Sequence, residues 1–217
     1  MESISLFDRK YTGGIHGHGG YDFEDFYVLR QLPDWLRLPD LDSFQRELLT
    51  DLELFFGSGR RWFIQIKKRS LETNEFRKII QSFQDRETTS SGEYQKYIIA
   101  SLGLSRSIKR LSGRLERFRS AKNYSEAELA NSRKELATDL KGLKCESHVE
   151  LIIDKVFFDS AIEWVTKEEL RRSNFTGSLV REHRIKPEDA EDIYLRLQAC
   201  WSLSEGNQFA SRYLRPH

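Results

Sequence analysis

The sequence is poor in three features that define whole classes of protein: cysteine, proline and long apolar runs. It has 2 cysteines and 4 prolines among 217 residues, too few for a disulfide framework, a cysteine-rich zinc site or a proline-rich linker protein. No apolar run approaches the roughly 18 residues of a membrane span, and the opening MESISLFDRK carries charges where a signal peptide has its apolar core. We therefore expect a cytoplasmic protein with no membrane partner.

The chain also lacks a charge of one sign. Its 35 lysine and arginine residues balance 34 aspartate and glutamate residues, and the formal net charge of +1 excludes a polycation of the histone kind. Hydrophobic residues make up 38% of the chain and aromatic residues 12%, which is enough to build a core and excludes a disordered protein. The location of the charges is therefore more informative than their sum.

Basic residues concentrate in two segments. Residues 104–122 hold seven lysines and arginines against one acidic residue, Glu116, and a second cluster flanks the segment 61–67. Clusters of this kind attract phosphates and predict contacts to a nucleic-acid backbone. The basic residues are Arg106, Lys109, Arg110, Arg114, Arg117, Arg119 and Lys122 in the first cluster, and Arg60, Arg61, Lys67, Lys68 and Arg69 in the second.

The clearest predicted element is a β-hairpin. The runs DLELFF (51–56) and RWFIQIK (61–67) are rich in aromatic and aliphatic residues, and the short segment between them contains GSG. A three-residue loop places Asp51 directly opposite Gln65. Because side chains alternate along a strand, Asp51, Gln65 and Lys67 then share one face of the sheet. A shift of one residue in the register would separate them.

The other segments predict a mixed α/β protein. A helix begins after the glycine-rich segment 11–20 and ends by Leu32, because Pro33 follows. Residues 94–102 favour a buried strand, and residues 147–153 fit a strand or a helix. Helical spacing of apolar residues predicts helices over 71–83, 104–118, 125–143, 159–171 and 187–202. We expect an α/β core in residues 1–102 and a mainly helical portion in residues 103–217 that packs on it within one domain.

Three residues on the predicted face suit phosphodiester hydrolysis. This reaction needs a divalent metal that neutralises phosphate charge and lowers the pKa of a bound water, with a cation near that water. Asp51 supplies a hard oxygen ligand, a carbonyl at or beside Gln65 supplies a second, and Lys67 is the cation. Mg²⁺ usually keeps several waters and one or two carboxylates. Glu24 on the first helix could complete the site, and Glu53 lies on the same face.

These residues resemble the motifs of nucleases with a restriction-endonuclease-like core, the PD-(D/E)xK nucleases. The matching segments are GGYDFEDF at 19–26, ELLTDLEL at 47–54 and QIK at 65–67. Within that superfamily the chain is most similar to the N-terminal nuclease domain of the double-stranded DNA endonucleases of bacterial cyclic-oligonucleotide antiphage systems. The segment YQKYIIASLGLSRSIKRL at 94–111 extends the likeness over most of the chain.

The resemblance implies a Mg²⁺-dependent endonuclease, or one that uses Mn²⁺ instead, which cuts double-stranded DNA with little sequence specificity as an antiphage effector. We expect activation by homo-oligomerisation, by a partner or by a fused sensor domain. The predicted catalytic residues are Asp51, Gln65, Lys67 and Glu24, and the predicted metal ligands are Asp51, Gln65, Glu24 and Glu53. Phosphate contacts carry no base information, and the predicted DNA contacts are Lys68, Arg69, Arg106, Arg110 and Arg114.

Other interpretations of the same residues stay open. Gln65 stands where the family has a carboxylate, so the fold could serve as a catalytically inactive module for DNA binding or complex assembly. A helical interaction protein without any nucleic-acid role is a third reading. Glu24 also suits an ordinary first-turn helix acid, and Glu53 suits a salt bridge. His16 and His18 favour structural or DNA contacts over zinc, because no second ligand pair accompanies them.

Overall fold

A six-stranded mixed β-sheet lies at the centre of the described part of the chain. The computed structural model describes residues 18–46, 51–90, 93–122, 124–160, 162, 174–203 and 208–210. The strands β3, β4 and β5 are parallel neighbours, and β2, β1 and β6 continue the sheet with antiparallel pairs. In the order β5-β4-β3-β2-β1-β6, the strands are β1 (Leu41–Arg46), β2 (Asp51–Phe56), β3 (Arg61–Leu71), β4 (Tyr94–Leu104), β5 (Val156–Asp159) and β6 (Gln208–Ala210).

Helices cover both faces of this sheet. Because β3 and β4 are parallel, the chain must cross from the end of one to the start of the other, and the second helix makes that crossover. The helices are α1 (His18–Trp35), α2 (Thr73–Thr89), α3 (Arg106–Ser120), α4 (Glu126–Gly142), α5 (Val149–Lys155), α6 (Gly177–His183) and α7 (Pro187–Leu203), with a 3₁₀ turn at Glu146–His148 before α5.

The sheet separates two hydrophobic cores, because successive side chains of a strand point to opposite faces. Along β3, Ile64 and Ile66 belong to the core that α1, α6 and α7 cover. Phe63 belongs to the core that α2, α3, α4 and α5 cover. Gln65 and Lys67 alternate with Ile64 and Ile66, so the strand directs them to the α2 side of the sheet. The polar residues of interest are therefore on the same face as Phe63.

The predicted hairpin is confirmed, including its register. Asp51 lies opposite Gln65 in the β2–β3 ladder. The Phe56 amide donates to the Arg60 carbonyl at 3.0 Å, so the loop has three residues as expected. Its last residue, Gly59, has φ of 80°, a backbone conformation that glycine adopts without the steric cost of a Cβ. The loop composition and the register therefore agree.

The predicted end of the first helix is wrong. Helix α1 continues past Pro33 to Trp35, and the Leu36 amide still donates to the Leu32 carbonyl at 2.9 Å. Proline removes one helical hydrogen bond, but Leu32 and Trp35 are 0% and 5% exposed in the α1 core. Burial of these two side chains holds the last turn in place despite the proline.

The mixed α/β class is confirmed, as are strand 94–102 and the helices that begin near residues 73, 106, 126 and 187. The ambiguous segment 147–153 is helical. Most of the helix predicted over 159–171 falls outside the described residues, and Asp159 ends strand β5. Strands β5 and β6 of the sheet come from residues 103–217. The restriction-endonuclease-like core and the division at residue 102 stay predictions.

Candidate functional site

A pocket of about 500 Å³ lies where helix α1, strand β3 and helix α2 meet. We call it the site pocket. Strand β3 contributes three consecutive cations to it, while α1 and α2 each contribute a carboxylate. Its lining residues are Phe23, Glu24, Ile66, Lys67, Lys68, Arg69 and Glu75. The pocket therefore combines an apolar floor with a charged rim in which cations outnumber carboxylates.

Two polar side chains predicted for the site are buried. Glu24 on α1 and Gln65 on β3 are each 7% exposed, and each has an interaction partner. Lys67 is half-buried at the pocket, and Lys68 and Arg69 are exposed. Buried polar groups require such partners because desolvation penalises an unpaired one. Glu24 and Lys67 thus line the same pocket, and their roles stay predictions.

The position of Asp51 is defined by the sheet. Its backbone pairs with that of Gln65 in the antiparallel ladder. In the same ladder the partner of Glu53 on β3 is Phe63. Glu53 is therefore directed to the α2 side of the sheet, like its partner Phe63.

Glu53 takes part in an ion pair with helix α2. Its Oε1 lies 3.2 Å from Nη1 of Arg86 and accepts from the Tyr94 hydroxyl at 2.5 Å. Burial, followed by the hydrogen bond to Glu53, raises the pKa of Tyr94. The Arg86 guanidinium also lies 3.9 Å from the centre of the Phe63 ring. The salt-bridge interpretation of Glu53 is confirmed by these contacts.

Three of the four arginines predicted to hold DNA have partners within the protein. Arg110 and Arg114 on α3 both donate to the Asp139 carboxylate on α4, at 2.6 and 2.7 Å. Arg106 is exposed at the start of α3. Arg69 lies 3.4 Å from Glu75 at the rim of the site pocket. Two of the six basic side chains of α3 are therefore paired with acidic side chains of α4.

A second polar cluster was not predicted from the sequence. Tyr27 and Gln31 on α1 donate to Oδ2 of Asp159 at 3.1 and 3.0 Å. Burial raises the pKa of Asp159, and the bond from Tyr27 and the charge of Arg30 lower it in part. Burial and the neighbouring carboxylate raise the pKa of Tyr27 well above its usual value. Local spacing carries no signal for this cluster, because 132 residues separate Tyr27 from Asp159.

The metal prediction has limited support from geometry. Among the described residues no group of three or more histidine, cysteine, aspartate or glutamate side chains could hold a metal ion. The site pocket offers Glu24 and Glu75, and Arg69 already approaches Glu75. Binding of Mg²⁺ stays a prediction. His16 lies outside the described residues.

No model of a known protein family matches the chain. Two curated relatives, each called CD-NTase-associated protein 4, are 28% identical to it. The Moraxella osloensis protein aligns over 99 residues, which is 44% of this chain and 21% of the relative. The protein of Acinetobacter sp. (strain ATCC 27244 / 9458) aligns over 120 residues, which is 54% of this chain and 26% of the relative.

Solved structures resemble the fold over most of this chain. The Moraxella osloensis Cap4 SAVED/CARF-domain containing receptor gives a TM-score of 0.71 at 20% identity and covers 89% of this chain and 45% of its own. The Acinetobacter baumannii Cap4 SAVED/CARF-domain containing receptor with the cyclic trinucleotide 2'3'3'-cAAA gives a TM-score of 0.73 at 22% identity. The match covers 88% of this chain and 42% of the receptor. This likeness shows the fold alone, and the chain spans less than half the length of these receptors and relatives.

The comparisons contradict the prediction of a DNA endonuclease. The matching proteins are named as CD-NTase-associated proteins and SAVED/CARF-domain containing receptors, one of them solved with a cyclic trinucleotide, and none of these names describes a nuclease. They do not support the inactive nuclease-fold module or double-stranded DNA as a partner either. Within the described residues no helix has the length and apolar character to span a bilayer. The relatives agree with one part of the predicted resemblance, the antiphage-defence context.

Proposed function

We propose that this chain is one domain of a receptor protein that responds to a cyclic oligonucleotide in antiphage defence. The observation that carries the proposal is the likeness in fold to the Cap4 receptors, one of which is solved with a cyclic trinucleotide. The relatives named CD-NTase-associated protein 4 support the same context. Because the chain spans less than half of those receptors, the ligand is held either by this domain or by another part of the receptor.

The site pocket is the first place to look for ligand contacts within this domain. A cyclic oligonucleotide carries one negative charge per phosphodiester. Lysine binds phosphate as a point charge and arginine through a planar fork of donors. Lys67, Lys68 and Arg69 present both kinds of cation around a volume typical of small-ligand sites. Glu24 and Glu75 offset two of these three positive charges, so the pocket suits one phosphate.

Isothermal titration of the protein, in the form the cell makes, with 2'3'3'-cAAA and 3'3'3'-cAAA tests the proposal. We expect saturable binding of at least one of them and no binding of linear tri-adenylate. A protein that binds neither cyclic compound, and whose gene leaves plaque counts unchanged on phage challenge, would contradict the proposed function.

Two variants then locate the ligand. If the site pocket holds a phosphate, Lys67→Ala and Lys68→Ala each weaken binding several-fold, because each removes one charge-assisted contact. Lys134→Ala is the matched control, since Lys134 is an exposed lysine on α4 outside the site pocket. Equal affinity in all three variants places the ligand elsewhere in the receptor.

A further inference from the structure

Helices α3 and α4 enclose a second pocket, on the other side of the sheet from α1. It has a volume of about 290 Å³, and we call it the α3–α4 groove. Phe118, Leu129 and Leu136 form its apolar part. Tyr124 lies at its edge, and Arg117 and Glu135 contribute charge to its walls.

The aromatic ring at the edge of this groove is open to solvent. Tyr124 is 59% exposed, the largest value among the exposed large hydrophobic residues of the described chain. A single exposed apolar side chain is ordinary in a folded protein. Here it borders a groove whose lining includes the half-buried Phe118 and Leu129. Exposed tyrosines beside an apolar depression are typical of the anchor points of protein interfaces.

The charge around the groove is positive. Arg110 and Arg114 both donate to the Asp139 carboxylate, which offsets one of their two positive charges. Arg117 forms no ion pair with any described residue; its Nε donates to the Gly113 carbonyl. Lys122 is exposed two residues before Tyr124. The groove therefore presents an apolar depression beside two cations, Arg117 and Lys122, that have no carboxylate partner in the described part of the chain.

We propose that the α3–α4 groove docks an acidic peptide segment through one large apolar side chain. A volume near 290 Å³ accommodates one aromatic or aliphatic side chain and lies at the lower limit for sites of drug-sized ligands. Carboxylates that flank this side chain would pair with Arg117 and Lys122. This inference does not depend on the proposed response to cyclic oligonucleotides.

A peptide suits this surface better than a nucleic acid does. Nucleic-acid binders track the backbone with several free cations. In the α3–α4 groove Arg114 is already paired with Asp139 and approached by Glu135 at 3.7 Å. Arg117, Lys122 and the apolar depression therefore match a peptide that has a few carboxylates beside one apolar side chain.

Fluorescence anisotropy with the labelled peptide EDEFDE and the intact protein tests the proposal. The control peptides are EDEADE, which lacks the apolar anchor, and KSKFSK, which lacks the acidic residues. We expect EDEFDE to bind at least about tenfold more tightly than either control, since a buried aromatic anchor commonly carries most of an interface. Binding should weaken as salt is raised, because exposed charges are screened.

Substitutions in the groove identify where the peptide binds. Arg117→Ala and Tyr124→Ala should each weaken EDEFDE binding at least about fivefold. Both side chains are exposed, so both variants should fold, and a circular dichroism spectrum checks this. Lys109→Ala is the matched control, because it removes an exposed cation of α3 outside the groove lining. It should change the affinity less than about twofold.

Four results would overturn the proposal. EDEFDE and EDEADE could bind equally, which would exclude an apolar anchor. The two groove variants could bind as tightly as Lys109→Ala, which would place the peptide elsewhere. A thymidine oligonucleotide could bind with the same dependence on Tyr124 and Arg117, which would assign the groove to nucleic acid. Absence of EDEFDE binding at millimolar concentration would equally contradict the proposed docking.

Discussion

Glu53 on β2 and Arg86 on α2 form an ion pair between the sheet and the helix that crosses over it, with Arg86 Nη1 3.2 Å from Glu53 Oε1. The glutamate is 6% exposed. Its Oε1 accepts from Tyr94 as well. A carboxylate in this position contributes to stability only while its partners are in place, because its desolvation is not otherwise compensated.

Substitution Arg86→Ala should destabilise the protein by about 3 kcal/mol, because it leaves the buried Glu53 carboxylate without its cation. It also removes the guanidinium that lies over the Phe63 ring. Chemical denaturation followed by circular dichroism measures the loss. Arg69→Ala is the control, since Arg69 pairs with Glu75 at an exposed position and should change stability by less than about 1 kcal/mol. Equal losses in the two variants would contradict this reading.

The Asp159 carboxylate should make stability depend on pH. Burial raises its pKa in the folded protein, so the folded state holds a proton over a pH range in which the unfolded chain has released it. The stability contribution is therefore largest below the ordinary aspartate pKa of about 3.9 and falls as pH rises through the higher folded value.

Asp159→Asn removes this titration while it keeps an oxygen for Tyr27 and Gln31, whose bonds both go to Oδ2. We expect the variant to be at least as stable as the wild type near pH 7 and to lose the advantage in acid. Denaturation midpoints from pH 4 to pH 8 check this. A variant that is less stable than wild type at every pH would show that the charge itself is favourable.

Asp139 should hold α3 against α4. Its side chain is 8% exposed and accepts from Arg110 and Arg114. Hydrogen bonds to charged groups contribute about 1.5–3 kcal/mol, and solvent exposure of Arg110 reduces the contribution. Asp139→Asn should therefore lower the free energy of unfolding by about 1–2 kcal/mol. Glu135→Gln at the exposed end of the same contact should change it by less than about 1 kcal/mol, and the reverse ranking would contradict the assignment.

The start of α4 should depend on Ser125. This residue forms a capping box in which its side chain accepts from the Glu128 amide. Ser125→Ala should cost about 1 kcal/mol of stability and speed amide exchange in the first turn. Thr138→Ala in the middle of α4 is the control, because alanine has the higher helix propensity. Hydrogen exchange followed by NMR would refute the prediction if both variants left the first turn protected.

The sequence predicted those elements whose determinants lie next to each other along the chain. The β2–β3 hairpin was predictable because two strands and their loop are consecutive, and its register followed from the loop length. Strand β1 was not predictable, because a bulge between Leu41 and Ser43 breaks the alternation of its side chains. Strand β5 has only four residues, too few for a periodic pattern.

In the candidate site, too, local features could be predicted and contacts between distant elements could not. Glu24 and Lys67 could be placed together by their elements, and the structure places them in one pocket. The Arg86 partner of Glu53 and the Asp139 partner of Arg110 were missed, because contacts between separate elements leave no local pattern. The nuclease interpretation failed for another reason: a short set of Asp, Gln and Lys is chemically versatile and recurs by chance.

Strand β6 completes the sheet by pairing with β1, although about 160 residues separate them along the chain. At the usual rate of roughly 5–20 residues per second, a ribosome needs on the order of ten seconds to make that interval. During this time the outer edge of β1 presents unpaired amides and carbonyls, which can pair with other chains. The nascent protein thus passes through a stage in which one side of its sheet is open to association.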